Sequence, residues 1–408
     1  MPARLRVNAA RLQHHLDQLA RIGALPNGGV CRLAFSAEDK QGRDYIEARM
    51  RSLGLAVQID RIGNILGTRR GARTGPLVLA GSHVDTVGTA GRFDGSVGVI
   101  GALEVIETLN DAVVSTGHPI GVIAFANEEG ARFVPDMMGS LVFRGDLQLG
   151  DARSLVDRDG VSVGEAIDRT GYASTNDFTD VDVRAYLELH IEQGPILENA
   201  NMTIGVVEAV QGLTWITFTL TGATAHAGAT PIDMRRDAGY VAAAIVQYAR
   251  TLSHEIEGQR ATVGSLSLSP NIVNVVAEHA RVTVDLRNPD ADRLTMAEEH
   301  LLRFVAATAL AERVTVSHTV DVRVPPVRFD PLVVGHVQDA AAALGYRSMR
   351  LVSGAGHDAQ ILARKFPAAM IFVPSRGGIS HNVTEFTSTT DLEAGANVLL
   401  HALLALAG

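Results

Sequence analysis

The 408-residue sequence has little cysteine and few aromatic residues. A single cysteine, Cys31, excludes disulfide bonds within the chain and fits a reducing cytoplasm. Aromatic residues make up 5% of the chain, although 46% of its residues are hydrophobic and 40 are glycines. This composition is typical of an α/β protein with many tight loops.

Long apolar runs and an excess of positive charge are also missing. No run of about 18 apolar residues is present, so no membrane-spanning helix is expected. The first 23 residues predict an amphipathic helix and lack the apolar stretch and cleavage site of a signal peptide. The net charge of -9 argues against nucleic acid or an anionic membrane as a partner. We therefore expect a soluble cytoplasmic protein, long enough for two domains.

The pattern of apolar residues predicts that helices and strands alternate in the first part of the chain. A helix over 40–53 and a strand at 55–59 come first, and a buried strand at 76–80 precedes a helix over 95–109. Another buried strand is predicted at 119–126. This alternation predicts an α/β fold with a mostly parallel sheet flanked by helices, in which ligands gather at the carboxyl ends of the strands.

The order of elements changes after residue 208. The pattern there predicts a strand, a helix, two strands, a helix and a strand, at 214–221, 236–253, 261–268, 279–287, 290–311 and 313–322. This β-α-β-β-α-β order is the split arrangement of ferredoxin-like domains. The α/β pattern then returns, with a helix, a strand and a helix at 331–344, 368–373 and 391–406.

We therefore predict one domain interrupted by another. A catalytic domain would comprise residues 1–208 and 324–408, and an inserted domain would comprise residues 209–323. Hinges are expected near 207–211 and 322–327.

Histidines and carboxylates are concentrated in five short segments, most of which follow apolar runs. These segments are GSHVDTV (81–87), GRFDGSVGV (91–99), ANEEGARF (126–133), LELHIEQGP (187–195) and GGISHNVTEF (377–386). Imidazole nitrogens and carboxylate oxygens are the ligands that zinc and similar cations take in catalytic sites. The set therefore predicts a hydrolase with two adjacent divalent cations rather than a binding or structural protein.

A carboxylate is the ligand best suited to reach both ions of a metal pair. Asp94 is the candidate, because it lies in a glycine-flanked loop between a strand and its helix. His83 and His190 would complete one ion, and Glu129 and His381 the other. Each residue alone is weak evidence, since a lone histidine is usually an ordinary core or surface residue; the set is specific.

Two further carboxylates flank these ligands. Asp85, two residues after His83, is placed to accept a hydrogen bond from the second ring nitrogen of that histidine and to set its tautomer. Glu128, beside a ligand, is the predicted general base, which takes a proton from the metal-bound water and passes it to the leaving nitrogen.

These segments resemble the hydantoinase/carbamoylase-type amidases of the M20 metallohydrolase family, and the resemblance covers essentially the whole chain. LARIGALPNGGVCRLAFS (19–36), GNILGTRRG (63–71) and SGAGHDA (353–359) carry it as well, while ANEEGARF and HIEQGP are typical of the carbamoylase branch. The family includes N-carbamoyl-L-amino-acid hydrolases, β-ureidopropionases and allantoate amidohydrolases.

The resemblance implies a metallo-aminopeptidase-like catalytic domain and two divalent cations per subunit, either zinc or manganese, cobalt or nickel. The same metal roles follow from it for the residues named above. It also implies a homodimer formed through the inserted domain, with some site residues crossing between subunits.

The resemblance further implies which residues contact the substrate. Gln193 would contact the ureido or amide group, and His226, in the inserted domain, would stabilise the oxyanion. Asn274 and Arg287 would hold the substrate carboxylate. The alternation in RVTVDLRN exposes Arg287, and a guanidinium suits a carboxylate; a surface ion pair with Asp285 is the alternative.

Other polar residues near the motifs are less clearly placed. Gly356 and Ser380 are further candidates for substrate binding. His357 and Asp358 would either orient a metal ligand or line the substrate pocket, and both interpretations remain. Glu385 would either support a ligand or have a structural role.

The leading prediction is a metal-dependent amidohydrolase acting on a small carboxylate substrate that carries a ureido or amide group. Metal-bound water would attack the carbonyl with Glu128 as base, and an N-carbamoyl substrate would yield an amino acid, carbon dioxide and ammonia. The alternatives are an allantoate amidohydrolase and an M20 dipeptidase or N-acyl amino acid deacylase. A catalytically silent binding protein would require a lost ligand or base, yet every expected position is filled.

Overall fold

The structure, a computed structural model, describes residues 5–172 and 174–408. The chain forms two compact units. The larger comprises Met1–Glu208 and Arg328–Gly408, and the smaller comprises Ala209–Val327.

Helices and strands alternate through most of the described chain. The helices are α1 (Ala9–Ala20), α2 (Ala37–Ser52), α3 (Ser96–Asp111), α4 (Met138–Arg144), α5 (Leu149–Ser154), α6 (Val163–Thr170), α7 (Ile196–Asn199), α8 (Ala238–Glu255), α9 (Ala291–Ala311), α10 (Pro331–Ala343), α11 (Asp358–Leu362) and α12 (Thr389–Ala407). The strands are β1 (Ala56–Ile59), β2 (Ile65–Arg69), β3 (Leu77–His83), β4 (Ile120–Phe125), β5 (Val183–Ile191), β6 (Ile204–Val210), β7 (Gly212–Thr221), β8 (Arg260–Ser269), β9 (His279–Asn288), β10 (Thr315–Val324), β11 (Val327–Arg328), β12 (Ser348–Ser353) and β13 (Ala368–Val373).

A nine-stranded mixed sheet forms the larger unit. Its order is β1-β2-β4-β3-β5-β13-β6-β11, with β12 paired to β6. The pairs among β4, β3, β5 and β13 are parallel, whereas β1 pairs antiparallel with β2, β2 with β4 and β6 with β13. Every residue of β4 and β13 is buried, which explains their continuous apolar sequences. The prediction of an α/β fold with a mostly parallel sheet is confirmed.

The smaller unit is a four-stranded antiparallel sheet of order β10-β7-β9-β8, packed against α8 and α9. Its core contains aliphatic side chains from both helices together with Ile216, Phe218 and Leu220 of β7. Trp215, whose side chain alternates with these, is 43% exposed. The elements follow the predicted β-α-β-β-α-β order.

Several elements lie outside the sequence predictions. The strands β2, β6, β11 and β12 and the short helices α4 to α7 were not anticipated, and β3 and β5 extend far enough to include His83 and His190. The predicted first helix is α1, and residues 1–4 of that prediction lie outside the described part. Among the helices that the structure describes, none has the length and apolar character needed to cross a bilayer.

Candidate dinuclear metal centre

The central parallel strands bring the predicted ligands to one edge of the larger sheet. His83 is the last residue of β3, His190 is the penultimate residue of β5, and the pair Glu128-Glu129 follows the end of β4. Carboxyl ends of parallel strands meet at the same edge of a sheet, and ligand sites form there. Asp94 reaches this edge from the loop between β3 and α3.

Asp94 lies between two groups of potential ligands. Its Oδ1 is 3.2 Å from Nε2 of His190 and 3.7 Å from Nε2 of His83, and its Oδ2 is 3.3 Å from Nε2 of His381. The same Nε2 of His381 is 3.3 Å from Oε2 of Glu129. Ligand atoms of a tetrahedral ion with bonds near 2.0 Å are about 3.3 Å apart, so the spacing suits two ions that share Asp94.

Backbone carbonyls select the tautomers of two histidines. The Nδ1 of His83 donates to the carbonyl of Asp85 at 3.0 Å, and the Nδ1 of His190 donates to the carbonyl of Ile191 at 2.9 Å. In its neutral form each ring therefore directs the lone pair of Nε2 towards Asp94, as a metal ligand must.

Asp85 was predicted to hold His83 through its carboxylate, but the structure differs. The backbone oxygen of Asp85 is the acceptor, and its carboxylate binds other groups. Its Oδ1 accepts the N–H of Glu128 at 3.2 Å, and its Oδ2 accepts the N–H of Glu129 at 3.3 Å. Asp85 thus fixes the backbone of the glutamate pair.

Gly95 allows the Asp94 loop to approach His83. Its φ is +61°, and a Cβ at this position would lie 2.4 Å from the ring of His83. A larger residue would meet both steric obstacles, so only glycine permits this path of the chain.

The pKa values show a strongly negative environment. Burial and the neighbouring Asp358 raise the pKa of Glu128 well above its ordinary value. Burial and Asp94 raise the pKa of Glu129 to about 8. A hydrogen bond with Asp94 raises the pKa of His381 to about 9. Such a surplus of carboxylates favours bound positive charge, so the residues present fit a pair of divalent cations.

A pocket of about 140 Å³ opens on these residues. It is lined by His83, Asp94, Glu128, Glu129, Asp136, His190, Gln193, Ala355, Gly356, His357 and His381. Asp136 and Ala355 were not anticipated. Asp136 follows Pro135 in a loop with no metal-ligand spacing, so no sequence signal could have identified it.

Gln193 and Ser380 lie beside the shared carboxylate. The Nε2 of Gln193 donates to Oδ2 of Asp94 at 2.8 Å, and the hydroxyl of Ser380 lies 3.0 Å from the same oxygen. The buried Oε1 of Gln193 has no hydrogen-bond partner among the described residues. That oxygen is therefore an acceptor without a partner in the described part of the chain, in an amide group that contacts the predicted metal ligand Asp94.

His357 fits both interpretations left open by the sequence. It is buried, lines the pocket, and packs edge-to-face on the ring of His190 with centroids 4.6 Å apart. Its Nε2 lies 2.9 Å from the hydroxyl of Ser353. Asp358 is fully buried, and burial raises the pKa of its carboxyl well above the ordinary value.

Two of the predicted substrate residues lie on neighbouring segments of the smaller unit. The Nδ1 of His226 accepts the N–H groups of Gly228 at 3.0 Å and Ala229 at 3.1 Å. A neutral His226 therefore carries its hydrogen on Nε2, which makes that atom a donor. The N–H of Ala227 donates to the carbonyl of Asn274 at 3.0 Å, and the side chains of His226 and Asn274 are exposed.

Arg287 makes the ion pair that the sequence suggested as its alternative role. Its Nε lies 3.1 and 3.0 Å from the two carboxylate oxygens of Asp285, and its Nη2 lies 2.9 Å from Oδ2. Its side chain is about 30% exposed. A role in holding a substrate carboxylate stays a prediction and would require Asp285 to share the guanidinium.

Known proteins resemble this chain in sequence, and a solved structure resembles it in fold. The model of peptidase family M20/M25/M40 matches residues 79–405. The chain is 42% identical to an N-carbamoyl-L-amino-acid amidohydrolase of Rhizobium meliloti, over 98% of this chain and 96% of the relative. It is 31% identical to an allantoate amidohydrolase of Bacillus subtilis (strain 168), over 96% of each. A hydantoinase/carbamoylase-family amidase from Burkholderia multivorans superposes with a TM-score of 0.96 at 44% identity, over 99% of this chain and 98% of that one.

Proposed function

We propose that this chain, which belongs to the hydantoinase/carbamoylase amidases of peptidase family M20/M25/M40, removes the N-carbamoyl group from an amino-acid-like carboxylate. It is a hydrolase of carbon–nitrogen bonds other than peptide bonds. One water would be consumed, and the products would be the amino acid, carbon dioxide and ammonia. The observation that carries this proposal is the placement of Asp94 between two ligand groups with Glu128 beside them.

The metal pair is part of the proposal. His83, Asp94 and His190 would hold one divalent cation, and Asp94, Glu129 and His381 the other. Such a pair, when bound, lowers the pKa of a water molecule towards neutrality and polarises a carbonyl. Imidazole and carboxylate ligands suit zinc, manganese, cobalt and nickel alike.

Glu128 is the group that we assign to proton transfer. Its Oε2 lies 3.3 Å from Nε2 of His83, and its backbone is held by Asp85. It would accept the proton of the attacking water and deliver it to the departing nitrogen of the amino acid.

The remaining predicted residues would orient the substrate. The available Oε1 of Gln193 suits an N–H of a ureido group. In the smaller unit, the Nε2–H of His226 would donate to the carbonyl oxygen that gains negative charge. Asn274 and Arg287 would hold the carboxylate.

A homodimer formed through the smaller unit is also proposed. The strand β8 lies at an edge of its sheet, and most of its residues are exposed. An edge strand with unpaired backbone groups favours association. Sedimentation of the purified protein tests this directly, and a monomer would contradict it.

The test is ammonia release by metal-reconstituted protein. N-carbamoyl-L-amino acids, N-carbamoyl-β-alanine and allantoate would be the substrates, with N-acetyl amino acids and dipeptides as controls. We expect ammonia from an N-carbamoyl-L-amino acid, abolished by chelation and restored by metal. Ammonia only from allantoate would instead favour the activity of the Bacillus relative. Hydrolysis only of the controls would contradict the proposal.

A further inference from the structure

Glu385 connects the two loops that carry Asp94 and His381. Its Oε1 accepts the N–H of Phe93 at 2.9 Å and the N–H of Asp94 at 3.3 Å. Its Oε2 lies 3.0 Å from the hydroxyl of Ser380, the residue before His381. The side chain is buried and does not line the pocket, so its contacts are with the protein rather than with substrate.

Ser380 extends this connection to the shared carboxylate. Its hydroxyl is 3.0 Å from Oδ2 of Asp94 and 3.0 Å from Oε2 of Glu385. A hydroxyl carries one hydrogen but can accept as well, so it can join both carboxyl groups in one hydrogen-bonded chain. We call Glu385, Ser380 and the N–H groups of Phe93 and Asp94 the Glu385 clamp.

Gly91 supplies an independent sign that the clamp is tightly built. A Cβ at Gly91 would lie 2.3 Å from the Cβ, Cδ and Oε1 atoms of Glu385. Any side chain there would displace the carboxylate from the loop that it holds. The backbone of one loop therefore leaves space for a side chain of the other.

We propose that Glu385 is a positioning residue that holds Asp94 and His381 in register, so that both can ligate the metal pair. This inference rests on the metal centre of the proposed function. Asp94 contributes to both ligand groups. His381 lies in a loop, and its side chain is 50% exposed. Neither residue belongs to a strand. Partners that orient ligands commonly control metal affinity by about 10–100-fold.

Zinc affinity measured by competition with a chromophoric chelator tests the clamp without any substrate. For Glu385→Ala we expect the affinity to fall about 10–100-fold. Glu385→Gln should retain most of it, because an amide oxygen can accept the two N–H groups while the amide nitrogen donates to Ser380. Gly91→Ala, which displaces the carboxylate, should resemble Glu385→Ala.

Asp157 provides a matched control for a purely structural effect. Its carboxylate accepts the N–H of Asp159 at 3.0 Å and of Val161 at 2.9 Å, and it pairs with Nε of Arg132 at 3.0 Å. It therefore makes as many contacts as Glu385 but does not line the metal pocket. Asp157→Ala should lower the unfolding temperature and leave zinc affinity unchanged.

Several results would overturn the inference. They are wild-type zinc affinity in Glu385→Ala, an equal loss in Asp157→Ala, or a loss in Glu385→Gln as large as that in Glu385→Ala. If Glu385→Ala does not fold, unchanged affinity in both Gly91→Ala and Ser380→Ala would overturn it. If the wild-type protein binds fewer than two zinc ions, the proposed dinuclear metal centre is wrong. If the wild type binds two ions and the variants bind zinc equally well, only the proposed role of Glu385 is wrong.

Discussion

The two compact units hold their candidate functional residues in opposite ways. In the larger unit His83, Asp94 and His190 are at most 3% exposed, and hydrogen bonds fix their orientation. In the smaller unit His226 and Asn274 are exposed on loops. Metal ligands require a rigid arrangement, whereas groups that meet a substrate must remain accessible to it. The contrast predicts that mutations of the metal ligands in the larger unit change metal binding and that mutations of the substrate residues in the smaller unit do not.

Asp94→Ala should produce the largest effect, because the shared carboxylate belongs to both ligand groups. We expect zinc content to fall from two ions to fewer than one, and activity to fall to that of chelated protein. Elemental analysis after dialysis measures the first and ammonia release the second. Two retained ions would show that Asp94 does not bridge them.

Glu128→Gln should separate chemistry from metal binding within the larger unit. The amide keeps the shape of the side chain but cannot take a proton, so kcat should fall by about 10²–10⁴-fold. Zinc content should stay at the wild-type value, because neither ligand group includes Glu128. Unchanged turnover would disprove its role as the base, whatever the substrate.

His226→Ala extends the comparison to the smaller unit. Loss of the Nε2–H donor should lower kcat by about 10²–10³-fold, as for other single donors to a developing oxyanion. Zinc affinity and unfolding temperature should not change, since the side chain is exposed. His254→Ala, in the same unit, is the control and should keep full activity. A drop in zinc content for His226→Ala would break the contrast between the units.

The parts of the fold that could be predicted are those in which burial requires a regular pattern of apolar residues in the sequence. The strands β4 and β13 are continuous apolar runs because both faces of the sheet are covered. The strand β2, ILGTR, and the strand β12, SMRLVS, were missed because they are short and mix apolar with polar or small residues.

The same limit applies to the site. His83, the Glu128-Glu129 pair and His190 were predicted to meet because carboxyl ends of parallel strands share an edge. The contact between Glu385 and the N–H of Phe93 joins residues 292 positions apart. It depends on how two irregular loops pack, which no local pattern records. The bonds of Asp85 were not predicted for a similar reason. Its backbone oxygen accepts the hydrogen bond from His83 that was expected of its carboxylate, and the carboxylate accepts the N–H of Glu128 instead.

The last expected effect is a pH dependence of metal affinity, which needs no substitution and follows from the contacts of two histidines with Asp94 in the larger unit. Burial lowers the pKa of His190, but its hydrogen bond with Asp94 and the charge of Asp94 outweigh this and raise it to about 9. The hydrogen bond with Asp94 likewise raises the pKa of His381 to about 9. Without a metal ion both rings are therefore in the positively charged imidazolium form at pH 7, whereas a metal ion binds only the neutral form.

Zinc binding should therefore release protons, and the affinity should rise with pH until about pH 9. Below that pH each proton displaced changes the affinity by about tenfold per pH unit. Calorimetric titration with zinc at pH 7, in two buffers of different ionisation enthalpy, measures the number released. Glu385→Gln should release no more protons than the wild type, because the charge of Glu385 is one of the causes that raise the pKa of His381. Heats that do not depend on the buffer would mean that the imidazoles are already neutral, and Asp94 would then not control their protonation.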